Sequence, residues 1–195
     1  KYKILEKNLD DEVGEAFDKI IKIMGYGYPL GPIKEELTKK ITWKYKFNLP
    51  KPLINSKTLD LSFSGLKTAV RRIIEKGVDK KQHCDLASEF QNVIAECLLR
   101  KVDLALNSIK KKTKISSFVL TGGVASNLFI RNKFKLMCEK EKIFFFAPEK
   151  ELCVDNATMI AWAGLEMISN GEKGSKVNLS PKPRWRLDKI WIKYV

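Results

Sequence analysis

Apolar residues recur along the chain with two distinct periods, and these divide it into elements. Val13, Phe17, Ile20, Ile21 and Met24 fall at i, i+4, i+7, i+8 and i+11, which predicts one helix with an apolar face, ending near Gly25. Asp11, Glu15, Asp18 and Lys22 repeat at the same spacing on another face, whose simplest use is solvation. "YGYPLGP" follows as a Gly/Pro-rich turn, and Lys34 to Lys40 reads as a short helix. Pro50 and Pro52 make "NLPKPLINS" a loop. "LDLSFSG" alternates Leu59, Leu61 and Phe63 with Asp60, Ser62 and Ser64, the pattern of a half-buried strand. A helix is expected from Leu66 to Lys76, stopped at Gly77. A long helix follows from about Cys84 to Ile109. Its stripe of Leu86, Phe90, Val93, Ile94, Cys97, Leu98, Val102 and Ala105 marks a core-facing element.

The last third changes period twice. "ISSFVLTGG" reads as a strand with a glycine turn, and "SNLFIRNKFKLMCEKE" as a helix. "KIFFFAPEKELC" reads as a second short buried strand and a loop. "DNATMIAWAGLEMISNG" reads as a helix begun by Asp155 or Asn156 and ended by Gly171. A strand–helix–strand unit of this length implies parallel strands and a right-handed crossover. Ligands of open α/β sheets sit beyond the carboxyl ends of the strands. The Gly122–Gly123 turn and the loop reaching Asp155 are therefore expected on one edge of one sheet.

Composition narrows the classes. The 195 residues, 44% of them hydrophobic, suit one large globular domain or two small ones. No repeat, low-complexity tract or apolar run of about 18 residues is present, so no membrane helix is expected. The first residue is Lys1, which predicts a processed product or a fragment. Cys84, Cys97, Cys138 and Cys153 form no C-x-x-C pair and read as unpaired thiols. The single histidine, His83, reads as an exposed loop residue. It cannot complete a histidine-based metal site, and no Ser/His/Asp or Cys/His set is readable. Lys plus Arg outnumber Asp plus Glu by 37 to 23, a net charge of +14. That suits a polyanionic partner, and it equally suits a lysine-rich composition with no such partner.

Gly122 and Gly123 at a helix start would offer backbone N–H groups to an anion, with about 0.3–2 kcal/mol from the helix dipole. Asn127 would add an amide for a ribose or base. "TGG" lacks the third glycine of a dinucleotide fingerprint and the lysine of a P-loop, so a packing turn and a ligand cradle both stand. Asp155 reads as a helix cap or as a metal ligand.

Five segments in order, "DDEVGEAFDKIIKIMGYGYPLGP", "LSFSGLKTAV", "TGGVASN", "ELCVDNATMIAWAG" and "PRWRLD", resemble the C-terminal half of the TsaD family. The resemblance runs over nearly the whole chain, and "SGLKTAV" and "PRWRLD" look like its bacterial and mitochondrial branch. It implies an α/β fold: a lobe of the actin/Hsp70/sugar-kinase (ASKHA) type, a mixed sheet flanked by helices. Residues 32–112 would be a mostly helical insertion and 113–171 the β-α-β-α nucleotide-binding segment, with the N-terminal lobe absent. The implied activity is transfer of threonylcarbamoyl from threonylcarbamoyl-AMP to the adenosine beside the anticodon, in tRNAs reading codons that begin with A. The fold alone also admits an ATP-binding kinase or ATPase, or a non-catalytic scaffold that binds nucleotide and tRNA. The resemblance further implies that Asp18 contacts the nucleotide ribose, and that Gly31, with Glu35 beyond it, contacts the substrate. Gly122, Gly123 and Asn127 would hold the nucleotide. Asp155 would be one ligand of a single divalent metal ion, iron or zinc, whose histidine ligands belong to the N-terminal half. Where many relatives carry a second glycine in "YPGGP", this chain has Leu30. Lys67, Arg71 and Arg72, the Lys110–Lys114 run and the tail of Arg184, Trp185 and Arg186 are the tRNA candidates. The partners implied are threonylcarbamoyl-AMP, tRNA, and either a second copy or proteins of a modification complex, with no membrane. The implied compartment is the mitochondrial matrix, with the bacterial cytoplasm as the alternative.

Overall fold

A computed structural model describes residues 3–27, 37, 44–174 and 180. In chain order the helices are α1 (Val13–Ile23), α2 (Ser64–Glu75), α3 (His83–Lys110), α4 (Leu128–Glu141) and α5 (Ala157–Ser169). The strands are β1 (Ser117–Val119), before α4, and β2 (Phe144–Phe146), after it. They pair in parallel, Ser117 opposite Phe144 and Val119 opposite Phe146, as the strand–helix–strand order requires. The described sheet is this parallel pair. The "YPLGP" turn and nearly all of the expected 34–40 helix lie outside the described residues.

Helix α3 is the centre of the core. Phe90, Val93, Ile94 and Cys97 are fully enclosed, with Phe17 and Ile20 of α1, Leu66 and Val70 of α2, and Ile130 and Phe134 of α4 in the same cluster. The Phe17 and Phe90 rings meet edge to face with centroids 5.1 Å apart. Phe118 of β1 stacks on Phe134 at 5.2 Å, which seats the sheet on α4. The α3 stripe is wider than its aliphatic positions suggest, because Lys101 is also buried, at 0% exposure. Its ammonium donates to the Ser56 carbonyl at 3.1 Å and the Thr58 carbonyl at 2.7 Å, pinning the proline loop to the helix. No disulfide joins the four cysteines, and burial pushes the Cys97 thiol up to about 11.

Two sequence expectations need correction. The alternating "LDLSFSG" does not form a strand: it makes an isolated parallel bridge, Asn8 with Leu61, and α2 begins at Ser64. Leu61 and Phe63 are buried as the alternation requires. The intervening serines are taken by Asp10, whose carboxylate accepts from the Ser62 and Ser64 hydroxyls, from the Phe63 N–H at 2.7 Å and from the Ser64 N–H at 3.3 Å. A distant carboxylate therefore caps α2, and the extended stretch ends where a strand would need a partner. His83 is not exposed: it opens α3 at 5% exposure under the Tyr26 ring, with its Nδ1 3.3 Å from the Tyr26 hydroxyl. Burial, the largest influence on it, lowers its pKa.

Candidate functional site

Both strands leave the sheet at the same edge. The ladder is continued by the Leu120 N–H, which donates to the Phe146 carbonyl at 2.9 Å. The chain then turns at Gly122 into a single 3-10 turn, Gly123–Ser126, while β2 runs into a second one, Lys150–Leu152, and on to Asp155. The two turns touch, as the strand order anticipates. Arg131, in the first turn of α4, ties them together. Its Nε and Nη2 donate to the Ala125 carbonyl at 2.9 and 2.7 Å, and Nη2 also reaches the Cys153 sulfur at 3.3 Å.

Gly122 has φ 84° and ψ 174°, a region essentially restricted to glycine. Gly123 has no such conformational need. A Cβ placed on either residue would meet nothing within 4 Å, and both are exposed. Among the described residues, nothing packs closely over either glycine. Over Gly123 the space is open.

The glycines do not open the α-helix, contrary to the sequence expectation. Helix α4 begins at Leu128, and Asn127 caps it by accepting from the Phe129 N–H at 3.0 Å and the Ile130 N–H at 3.2 Å. The α4 dipole therefore points at Asn127 and not at Gly122 or Gly123. The Asn127 amide nitrogen donates to Gln91 Oε1 at 2.7 Å, so this 9%-exposed side chain already has a structural task at both ends.

Asp18 lies on α1, which packs against the glycine turn. The polar stripe to which it belongs is not uniform. Asp11 pairs with Lys19 at 2.7 Å and Lys67 at 2.8 Å, and Glu15 pairs with Lys19 at 2.8 Å. The hydrogen bonds from Lys19 and then Lys67 hold the Asp11 carboxyl below its ordinary value. Asp18 is exposed, with no hydrogen bond or ion pair among the described residues.

Asp155 is likewise exposed, and the cap of α5 is Asn156, whose Oδ1 accepts from the Met159 N–H at 2.8 Å. The Asp155 carboxylate is thus not consumed as a cap. A carboxylate is a suitable donor for a divalent ion, and Asp155 fits as one ligand. No group of three His, Cys, Asp or Glu residues that could hold a metal occurs among the described residues, so further donors would have to come from elsewhere.

Of the other expected site residues, Gly31, Glu35, Arg184, Trp185 and Arg186 lie outside the described residues. Lys67 is engaged by Asp11, and Arg71 pairs with Glu75 at 2.8 Å within α2. Arg72 is exposed without a partner among the described residues. Lys110 is paired with Glu141. Sequence reading missed Arg131 and Cys153: one basic residue in a chain with 37 carries no local signature, and its role exists only once the two turns meet.

Comparison with known proteins gives the family. The family model for TsaD, tRNA N6-adenosine threonylcarbamoyltransferase, matches residues 1–162. The tRNA N6-adenosine threonylcarbamoyltransferase of Wolbachia pipientis subsp. Culex pipiens (strain wPip) is 39% identical over 193 residues, covering 98% of this chain and 56% of that protein. The protein of the same name from Vesicomyosocius okutanii subsp. Calyptogena okutanii (strain HA) is 42% identical over 191 residues, covering 97% of this chain and 54% of its own length. That of Rhizobium etli is 38% identical over 186 residues, covering 92% and 51% respectively. The chain thus spans about half the length of the curated relatives it matches. No helix among the described residues is long and apolar enough to cross a membrane. With a family match over residues 1–162 and similar relatives along nearly its whole length, the chain belongs to the TsaD family of tRNA N6-adenosine threonylcarbamoyltransferases.

Proposed function

We propose that this chain forms part of an acyltransferase that moves threonylcarbamoyl from threonylcarbamoyl-AMP to the adenosine beside the anticodon, in tRNAs reading codons that begin with A. The observation that carries this reading is the open Gly122–Gly123 turn, on the sheet edge shared with Asp155 and beside the helix of Asp18. Backbone N–H groups at the turn are suited to the AMP phosphate, without a Cβ in the way. The Asp18 carboxylate is suited to accept from ribose hydroxyls. Asn127 fixes the far end of the turn by capping α4, and can lend its second amide hydrogen to the nucleotide. Gly31 and Glu35 would complete the donor contacts.

The adenine amine attacks the carbamoyl carbon, the bond from that carbon to the phosphate oxygen breaks, and AMP leaves while the amine loses a proton. The protein's task is to orient an already activated donor and hold its leaving phosphate. A divalent ion, iron or zinc, held partly by Asp155, would supply carbonyl polarisation when bound. Arg72, the Lys111–Lys114 stretch and the Arg184–Arg186 tail offer positive charge for tRNA phosphates.

The reading also requires more protein than these residues. Helix α5 has no buried residue, yet it is almost wholly apolar: Ile160 is 67% exposed, Trp162 65% and Leu165 60%. The outer sheet face is similar, with Phe144 72% and Val119 61% exposed. Parallel strands are ordinarily covered on both faces, and a helix apolar all round is ordinarily buried. The occupant of this surface is the part of the family length that the chain does not span, in an actin/Hsp70/sugar-kinase arrangement of two lobes. The chain alone is therefore inactive. The matched relatives are bacterial, which suits a bacterial cytoplasm or a mitochondrial matrix as the working compartment.

The test is reconstitution at full family length with tRNA, threonylcarbamoyl-AMP and the partner proteins, read by nucleoside mass spectrometry. Threonylcarbamoyl-adenosine is the expected product. Phosphoryl transfer from ATP without that product would favour the kinase reading, and tRNA binding without either reaction the scaffold reading.

A further inference from the structure

We infer that Arg131 is a positioning residue, which clamps the glycine turn after β1 to the loop after β2 and so sets the distance between the nucleotide cradle and Asp155. The clamp itself stands on geometry; only what the two loops hold rests on the function proposed above. Arg131 is placed by α4, one turn beyond the Asn127 cap, with its own backbone N–H bonded to the Asn127 carbonyl at 2.9 Å. Its guanidinium grips the Ala125 carbonyl with two donors. Ala125 is wholly buried and Arg131 half-buried, so the grip is partly shielded from solvent. The third contact, from Nη2 to Cys153, crosses to the second loop.

The Cys153 thiol is itself fixed on the far side. It is 4% exposed and donates toward the Glu149 carbonyl at 3.3 Å, while its sulfur accepts from Arg131. Cys153 precedes Asp155 by two residues and the Asn156 cap by three. A continuous path therefore runs from the Gly122 turn through Ala125, Arg131 and Cys153 to Asp155. Among the described residues the strands beneath the two loops pair over three residues each, extended by the Leu120–Phe146 hydrogen bond. A planar fork can hold two acceptors at once; an ammonium of similar charge cannot match that geometry. The charge is retained in Arg131→Lys, so this variant separates the fork from simple electrostatics.

Amide hydrogen exchange on the 195-residue chain tests the clamp without any ligand. The reporters are Ala125 and Asn127 N–H, bonded to Gly122 and Val124 carbonyls, and Leu152 and Cys153 N–H, bonded to Glu149 and Lys150 carbonyls. Arg131→Met is expected to speed exchange about tenfold at both pairs together, leaving the α3 amides around Phe90 unchanged. Arg131→Lys should loosen one pair and spare the other, and Cys153→Ala should loosen the second pair alone. A rise spread over α3 as well, or no change at either pair in Arg131→Met, would overturn the proposal. AMP titration of the full-length protein supplies the second readout: Arg131→Met should weaken binding about tenfold, with Arg131→Lys between it and wild type. If the wild type binds no AMP, the cradle reading falls while the exchange pattern still decides the clamp.

Discussion

The two ends of the described chain use apolar residues in opposite ways. Around α3, Phe17, Leu66, Phe90 and Ile130 are enclosed, and even Lys101 finds carbonyl partners within the fold. Around α5 and the outer face of the sheet, Trp162, Ile160 and Phe144 stand in solvent, although their residue types are those of a core. Among the described residues the first region is enclosed; on the function proposed above, the second is one side of an interface. The candidate site lies between them, with Asp18 on the enclosed side and Asp155 at the start of α5. A site so placed can be half assembled while its scaffold is already folded.

Substitutions on the two sides test this contrast. Phe90→Ala should cost about 3–5 kcal/mol in chemical denaturation, because its ring is gripped by Phe17 and the rest of the cluster. Trp162→Ser in the chain alone should change stability by less than about 0.5 kcal/mol, since the ring has left little water behind. A loss of several kcal/mol there would show that α5 is already packed. At the site itself, Gly122→Ala should cost about 1–3 kcal/mol from its backbone conformation, whereas Gly123→Ala should leave the melting temperature unchanged, a Cβ there meeting no atom of the described residues within 4 Å.

Asp10 gives a smaller effect with a definite sign. Partial burial opposes its ionisation, but hydrogen bonds from Ser62, Phe63 and Ser64 together bring its pKa down to about 2. A carboxyl depressed on folding stabilises the fold above its unfolded value of about 3.9, and that stabilisation fades as pH falls toward about 2. Asp10→Ala should cost about 0.5–2 kcal/mol at neutral pH, as loss of a helix cap does. It should also flatten the acid limb of the stability curve between those two values; an unchanged limb would exclude Asp10 as its source.

Much of this was legible in the residues. The 3.6-residue period placed α1, α2 and α3 to within a few positions, and the strand–helix–strand order put Gly122 and Asp155 on one edge. What failed did so where a distant partner decides. "LDLSFSG" has the alternation of a strand, but Asp10, more than fifty positions away, turns its serines into a helix start. His83 looked like a loop residue because nothing local announces the Tyr26 ring above it. The glycines looked like a helix opening because Asn127, read as a ligand contact in the first turn, proves to be the cap. Arg131 was invisible for the same reason: both of its acceptors lie on loops that meet only in the folded chain.

The central claim is that the space over Gly123 is kept open for a nucleotide and not for the chain. The most direct measurement is AMP affinity by calorimetry for full-length wild type and Gly123→Ala, with melting temperatures taken alongside. The account predicts equal melting temperatures and at least about a tenfold loss of affinity in Gly123→Ala, the size expected when a Cβ obstructs backbone hydrogen bonds to a charged group. Equal affinity for the two proteins would contradict it.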